Sequence, residues 1–410
     1  MIQRAYKTEL DPNNVQRTSL FQHAGAARRA YNWGLGRKIE AHKAGEKSPS
    51  AISLHRELNA LKKVPKDDGG MPWMYEVSKC APQEALRNLD KAFDGFFRRC
   101  KTKAKRKGFP RFKSRRKGIG SFTLTGAIHV SETHVQLPRL GHLRLKEHGY
   151  VPIGAKITRA TVSERAGRWF VSLALEEENE RTVGTEILGV DVGIKSLAVL
   201  SDGTVFENPR ALKAATQRLR RLQKGVSRKR KGSRNRRKAK HRLARQHYRV
   251  SCVRRDATHK ATTAIAKRCA VVGIESLNVS GMMKNHCLAG ALSDAGMSEF
   301  LRCLKYKVAW HGGEVVEADR WFPSSKMCSV CGEVRHNLTL RDRVFHCVSC
   351  GHIQDRDENA ACNLRNMAVS SAVSACGEES SGLVHLDPVK LSSVKQEPNA
   401  SQGLSLIGLV

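Results

Sequence analysis

Ile187-Leu-Gly-Val-Asp-Val-Gly193 is the stretch on which the reading of this 410-residue chain turns. It is apolar enough for a buried strand, yet it carries a carboxylate, Asp191. An unpaired carboxylate in such a setting is costly, so it tends to be paired or to hold a metal. Working outward, Ser196–Leu200 reads as a second strand after a turn at Gly193, and Thr204–Phe206 as a third. A basic helical segment follows over about 211–250, broken near Gly232 and Ser233, then a helix over about 256–268. The apolar strand Val271–Glu275, a helix over about 297–311, a strand Glu314–Ala318 and a helix opening near Asp357 complete the series. The order β-β-β-α-β-α-β-α predicts an RNase H-like α/β fold. In such a sheet the first and fourth strands are neighbours, and the last helix crosses beside them. Asp191, Glu275 and Asp357 are therefore expected to converge, as needed to hold two Mg2+ ions roughly 4 Å apart for phosphodiester hydrolysis. Any one of these acids reads equally well as a turn or cap residue. Three in this topological order point to a nuclease or strand-transfer site.

The choice of third acid rests on helix phase. Asp355, Asp357 and Glu358 compete. Ala361, Leu364 and Ala368 lie four, seven and eleven residues beyond Asp357 and share one helical face with it. Asp357 then points where these apolar residues point, with Ala361 allowing a close approach. Asp355 precedes the helix and suits a capping role. Glu358 is rotated by about 100° towards the rim.

Upstream, Ile2, Tyr6 and Leu10 suggest a short strand. Helical spacing marks 14–45 through Val15, Leu20, Ala24, Ala27, Tyr31 and Leu35, and marks 51–62 and 82–100 as well. From about 119 the period changes to that of strands: Ser121–Thr125, Leu137–Leu145 broken by Pro138 and Gly141, and a hairpin of Ile157–Ser163 with Trp169–Glu176. This block predicts a small β-barrel or curled sheet, completed by the N-terminal strand. The last forty residues are rich in Ser, Gly and Val, and read as a disordered tail.

The chain holds 73 Lys and Arg against 38 Asp and Glu, a net charge of +35. A polyanionic partner relieves the self-repulsion of such a charge. Residues 218–255 contain 18 Lys or Arg and no acid, and residues 98–117 contain 12. Helix faces exposed merely to water usually interleave both signs, so these runs are expected on a nucleic-acid backbone, where neutralised phosphates release counterions. Phe109 and Phe112 interrupt the second run; they either stack on unpaired bases or pin the segment to a core. No apolar run approaches the roughly 18 residues of a membrane span, and Met1–Leu10 lacks the apolar segment of a secretory signal. A cytoplasmic, nucleoid-associated protein is expected.

Four of the twelve cysteines form a pattern: Cys328-Ser-Val-Cys331 and Cys347-Val-Ser-Cys350, fifteen residues apart. Two CxxC knuckles bring four thiolates to one tetrahedral Zn2+, a closed and hence structural site. Gly332 and Gly351 follow the knuckles where positive φ is often needed. Arg335, His336, Arg341 and Arg343, between the knuckles, are placed to touch nucleic acid, although His336 reads first as a surface histidine. The other eight cysteines read as small hydrophobes.

Four segments together carry a family resemblance: Gly189-Val-Asp-Val-Gly-Ile-Lys195, Ile274-Glu-Ser-Leu-Asn-Val-Ser-Gly-Met282, Trp321-Phe-Pro-Ser-Ser-Lys-Met-Cys-Ser-Val-Cys-Gly332 and Asp355-Arg-Asp-Glu-Asn-Ala-Ala-Cys-Asn363. They resemble TnpB, the RNA-guided nucleases of insertion sequences related to type V CRISPR effectors. The resemblance implies a multidomain chain. Residues 1–12 and 119–182 would form a β-barrel wedge domain, and 13–118 a helical recognition domain. Residues 183–320 and 354–372 would form a split RuvC-like nuclease domain, with a zinc insert at 321–353 and a tail at 373–410. It implies Asp191, Glu275 and Asp357 as the catalytic acids, structural zinc, catalytic magnesium, a guide RNA from the element's end and a double-stranded DNA target beside a short adjacent motif. A monomer with one RNA is expected. The rival readings are an RNA-guided DNA-binding protein that does not cut, and a DDE-type transposase.

Overall fold

The computed structural model describes residues 2–102, 106–115, 118–178, 182–339 and 342–376. They gather into two units. One holds the residues up to Arg181 together with Ala211–Val253; the other holds Thr182–Arg210 and the chain from Arg254.

The first unit opens with strand β1 (Ile2–Leu10), then helices α1 (Asn14–Lys43), α2 (Ala51–Leu61) and α3 (Cys80–Lys101). Asn13 starts α1 with a reciprocal cap: its side chain accepts from Gln16 N at 2.8 Å, while Gln16 Oε1 accepts from Asn13 N at 3.0 Å, worth about 1 kcal/mol. The expected face of α1 is buried from Leu20 to Leu35, but Val15 is 78% exposed because the first turn lies beyond the core. Strands β2 (Ser121–Leu124), β3 (His129–Val130), β4 (His134–Leu137), β5 (Gly141–Arg144), β6 (Lys156–Arg165) and β7 (Arg168–Glu177) follow. Their sheets have orders β1-β7-β6-β2 and β3-β4-β5. The N-terminal strand pairs along its whole length with β7, Ile2 opposite Glu177 and Leu10 opposite Trp169. Leu10 also bridges to Leu145, linking the two sheets. The stretch 137–145, expected as one broken strand, is instead the turn and second arm of a hairpin. Pro138 has no N–H for a ladder, and Arg139 and Gly141 take φ of 66° and 69°. Phe109 packs edge to face on Phe93 at 5.6 Å and Phe96 at 5.3 Å while staying 47% exposed. Phe112 stays 57% exposed.

The second unit begins with β8 (Glu186–Asp191), β9 (Ser196–Leu200) and β10 (Val205–Glu207). Next along the chain come two helices, α4 (Ala211–Ser227) and α5 (Arg234–Arg268), with Gly232 at φ 86° between them; α4, and α5 as far as Val253, belong to the first unit. The break expected near Gly232 and Ser233 is present, between Ser227 and Arg234, but none separates 211–250 from 256–268: α5 continues through to Arg268. Then come β11 (Cys269–Ile274), α6 (Val279–Met282), α7 (His286–Ala295), α8 (Met297–Trp310), β12 (Glu314–Glu317), β13 (Val344–His346), β14 (Ile353–Asp355) and α9 (Arg356–Cys376). The short helices α6 and α7 have no counterpart in the periodicity reading. The five-stranded sheet has order β10-β9-β8-β11-β12. Its first and fourth strands in sequence, β8 and β11, are parallel neighbours.

Side chains alternate across this sheet. Leu188 and Val190 of β8, with Val272 and Ile274 of β11, enter a core completed by Phe300, Leu304 and Val308 of α8. The residues between them, Gly189 and Gly273, face the opposite side, where α9 lies. Residues 377–410, most of the expected tail, fall outside the described residues; α9 itself runs four residues into that segment, to Cys376.

Candidate active site and metal centre

Parallel pairing sets the first two acids. Val190 is registered with Ile274, so the next residues, Asp191 and Glu275, leave the ends of adjacent strands side by side. Helix α9 brings the third. A Cβ placed on Gly189 would lie 1.8 Å from the Ala361 carbonyl oxygen, and one on Gly273 would lie 2.2 Å from that of Leu364. Only glycine at both positions lets the helix backbone rest on the sheet. Ala361, Leu364 and Ala368 are fully buried in that contact, and Asp357 sits one turn earlier. Asp355 Oδ1 accepts from Asp357 N at 2.9 Å and Glu358 N at 3.4 Å, capping α9.

Asp191 feels the charge of both other acids. Burial raises the Asp191 carboxyl well above the ordinary carboxylate range, and the charges of Glu275 and Asp357 raise it further, against the nearby Arg356. The three carboxylates are not equally free. Asp357 Oδ1 pairs with Arg356 at 3.1 Å, and Glu275 Oε1 accepts from the Ser324 hydroxyl. Among the described residues, the one group of potential ligand atoms gathered within 4.8 Å of one another is Cys328, Cys331, Cys347 and Cys350.

The thiol cluster is built from two copies of one knuckle. Cys328 N donates to Glu333 O at 2.8 Å, and Gly332 N to Cys328 O at 3.0 Å; Cys347 N donates to His352 O at 2.8 Å, and Gly351 N to Cys347 O at 3.0 Å. Gly332 and Gly351 take φ of 76° and 73° to close these turns. Sulfur pairs lie at 3.7 Å for Cys328 with Cys350 and 3.5 Å for Cys331 with Cys347. Backbone N–H groups, those of Cys350 first, hold the Cys347 thiol down at about 6. Four sulfur donors at this spacing fit a tetrahedral metal ion. Of the residues between the knuckles, Arg335 donates to His346 O at 3.1 Å; Arg341 lies outside the described residues.

Periodicity reading missed the groups that dock this insert. Asn359 and Asn363, both buried in α9, donate to Met327 O at 2.7 and 2.6 Å, and Asn366 donates to Ser329 O at 3.0 Å. The available signal was three asparagines at positions i, i+4 and i+7 of one helix, on a stripe that otherwise favours apolar residues.

Family models match in three places: one described as "Probable transposase" over residues 161–286, "Cas12f1-like, TNB domain" over 298–364, and "Helix-turn-helix domain" over 1–47. The last span is a strand and a single long helix here. A curated relative from Streptomyces pristinaespiralis, named "Putative RNA-guided DNA endonuclease", is 39% identical over 401 residues, covering 97% of this chain and 96% of its own. "Putative RNA-guided DNA endonuclease InsQ" of Escherichia coli (strain K12) is 33% identical, covering 92% and 94%. A solved structure of "the mini-RNA-guided endonuclease CRISPR-Cas_phi3" superposes with TM-score 0.50 at 8% identity, over 90% of this chain and 92% of the other, a likeness of fold.

Proposed function

The chain belongs to the TnpB family, and from that premise we propose that it is an RNA-guided DNA endonuclease. The observation that carries the proposal is the meeting of Asp191 and Glu275, at the ends of adjacent parallel strands, with Asp357 on the helix resting across them. Those three carboxylates would hold magnesium in an RNase H-like, RuvC-type nuclease domain. When bound, magnesium supplies Lewis-acid stabilisation of the charge that develops on the phosphodiester. Asp191 and Glu275 are held by strands and Asp357 by a helix, so little ordering is left for the reaction itself. Arg356 pairs with Asp357 at 3.1 Å, on the carboxylate that would be the third magnesium ligand. Zinc in the four-cysteine cluster would be structural, since four protein ligands leave no open position.

Specificity would come from base pairing between a guide RNA and one strand of a double-stranded target, with the protein reading backbone shape and a short adjacent motif. We assign 1–12 and 119–182 to a wedge domain, 13–118 to recognition, 183–320 and 354–372 to the nuclease and 321–353 to the zinc insert, in a monomer that carries one RNA.

The test is cleavage of a target plasmid at equal RNA occupancy. Asp191→Ala, Glu275→Ala and Asp357→Ala should each abolish cutting while RNA and target binding persist. Asp355→Ala should cut, at a cost of about 1 kcal/mol in stability for the lost cap. Cutting by Asp357→Ala beside a dead Asp355→Ala would assign the third acid to Asp355. Strand joining to a donor end, without guided cutting, would favour a transposase.

A further inference from the structure

Glu275 stands one residue past the end of β11, where Ala318 N still donates to Ile274 O at 2.8 Å. The backbone there is fixed by the sheet, but the side chain has three torsions of its own. Its carboxylate is met by the hydroxyl of Ser324. Ser324 is 3% exposed, so its hydroxyl depends on a protein partner. What holds Ser324 is the helix that also carries Asp357. The Asn363 side-chain amide donates to Ser324 O at 2.7 Å and to Met327 O at 2.6 Å. Asn359 donates to Met327 O at 2.7 Å and accepts from Ser329 N at 3.0 Å. Asn366 closes the row on Ser329 O. The strapped segment, Ser324 to Ser329, contains Cys328, the first sulfur of the four-cysteine cluster. Hydrogen bonds to the residues on either side of Cys328, together with the backbone between them, therefore join that cluster to α9 and to the Glu275 carboxylate.

We propose that Ser324, strapped to α9 by Asn363, is a positioning residue that presents Glu275 to a divalent cation, and that the four-cysteine knuckle supports the acidic site through it. The inference rests on the nuclease reading above. A purely structural anchor would need the asparagine bonds to the backbone, but it would not need a hydroxyl aimed at the acid. A hydrogen bond to one carboxylate oxygen leaves most of the group's lone pairs for a cation. Outer hydrogen bonds of this kind commonly alter metal affinity by about 10- to 100-fold.

The test uses the full chain with its RNA, and Mn2+ as the paramagnetic probe. In Ser324→Ala, the Mn2+ dissociation constant should rise about tenfold or more. The Mg2+ concentration for half-maximal cutting should rise in parallel, with the maximal rate largely regained at high Mg2+. Zinc content and target binding should match the unchanged protein. Ser324→Thr, which keeps the hydroxyl, should restore cation affinity relative to Ser324→Ala. Unchanged Mn2+ affinity in Ser324→Ala, loss of its zinc, or a Thr variant as impaired as the Ala variant would each overturn the inference. Glu275→Gln separates this from the parent reading: if it cuts at full rate, the nuclease assignment fails; if it is dead while Ser324→Ala binds Mn2+ normally, only the positioning role fails.

Discussion

At the scale of single residues, the two glycines under α9 matter as much as the acids above them. Gly189 and Gly273 are needed for closeness, not for backbone freedom, since neither has a positive φ. A methyl group at Gly189 would overlap both the Ala361 carbonyl and the Arg365 amide, neither of which is a flexible side-chain end. Gly189→Ala should therefore cost about 3 kcal/mol or more, at or above the upper end of ordinary overpacking. It should also displace Asp357 from Asp191. Denaturant unfolding measures the first effect, and plasmid cutting by whatever remains folded measures the second. A Gly189→Ala protein of native stability would mean that the helix does not sit on the strand. Asp191 illustrates the complementary point: its raised pKa belongs to the neighbourhood, with burial first and two other carboxylates after it.

Among the elements, α4 and α5 carry the charge run that the sequence singles out. Ala211, Ala215, Leu219 and Val250 make a small apolar contact between them, within the first unit. Beside it, Arg218, Arg242, Arg245 and Arg249 line a cleft with Arg168 and Tyr248. Tyr248 is placed there by the Phe170 ring at 5.7 Å and the Arg168 guanidinium at 5.8 Å. Arg242, Arg245 and Arg249 repeat at three and four residues, so they share one face of α5. If that face lies on RNA phosphates, changing all three to Ala should flatten the plot of log affinity against log salt by about 2–3, at roughly 0.7 to 0.9 per phosphate. Binding titrations at several salt concentrations decide this; an unchanged slope would place the RNA elsewhere.

For the whole molecule, a net charge of +35 on 410 residues is the governing quantity. None of the described helices is long and apolar enough to cross a membrane. RNA should co-purify and raise the ratio of absorbance at 260 to 280 nm well above that of protein alone, even after a moderate-salt wash, because the free chain must otherwise bear its own repulsion. Nuclease treatment should then lower solubility and abolish target cutting. A nuclease-treated protein that stayed soluble and still cut its target would defeat the guided reading.

Local patterns were legible in the sequence because they depend on local geometry. Alternation and apolar runs gave β1, β2, β6 and β7 of the first unit and β8 to β12 of the second nearly to their ends, including the N-terminal strand as a partner for a later one, but not the short β3, β4, β13 and β14. The spacing of two CxxC pairs foretold the meeting of four thiols. Carboxylates inside or ending apolar strands marked Asp191 and Glu275 as the unusual acids. Other features depend on which faces meet, and no local period reports that. Pro138 turned an expected strand into a hairpin, and Phe109 joined Phe93 and Phe96 in a half-exposed aromatic cluster. The glycines Gly189 and Gly273 that receive α9, and the backbone groups that the Asn359, Asn363 and Asn366 row binds, also emerged only in three dimensions. A strand's chemistry is written along the chain, whereas a helix's distance from a sheet is set by the smallest residue on each side of the contact, and those residues lie far apart in sequence.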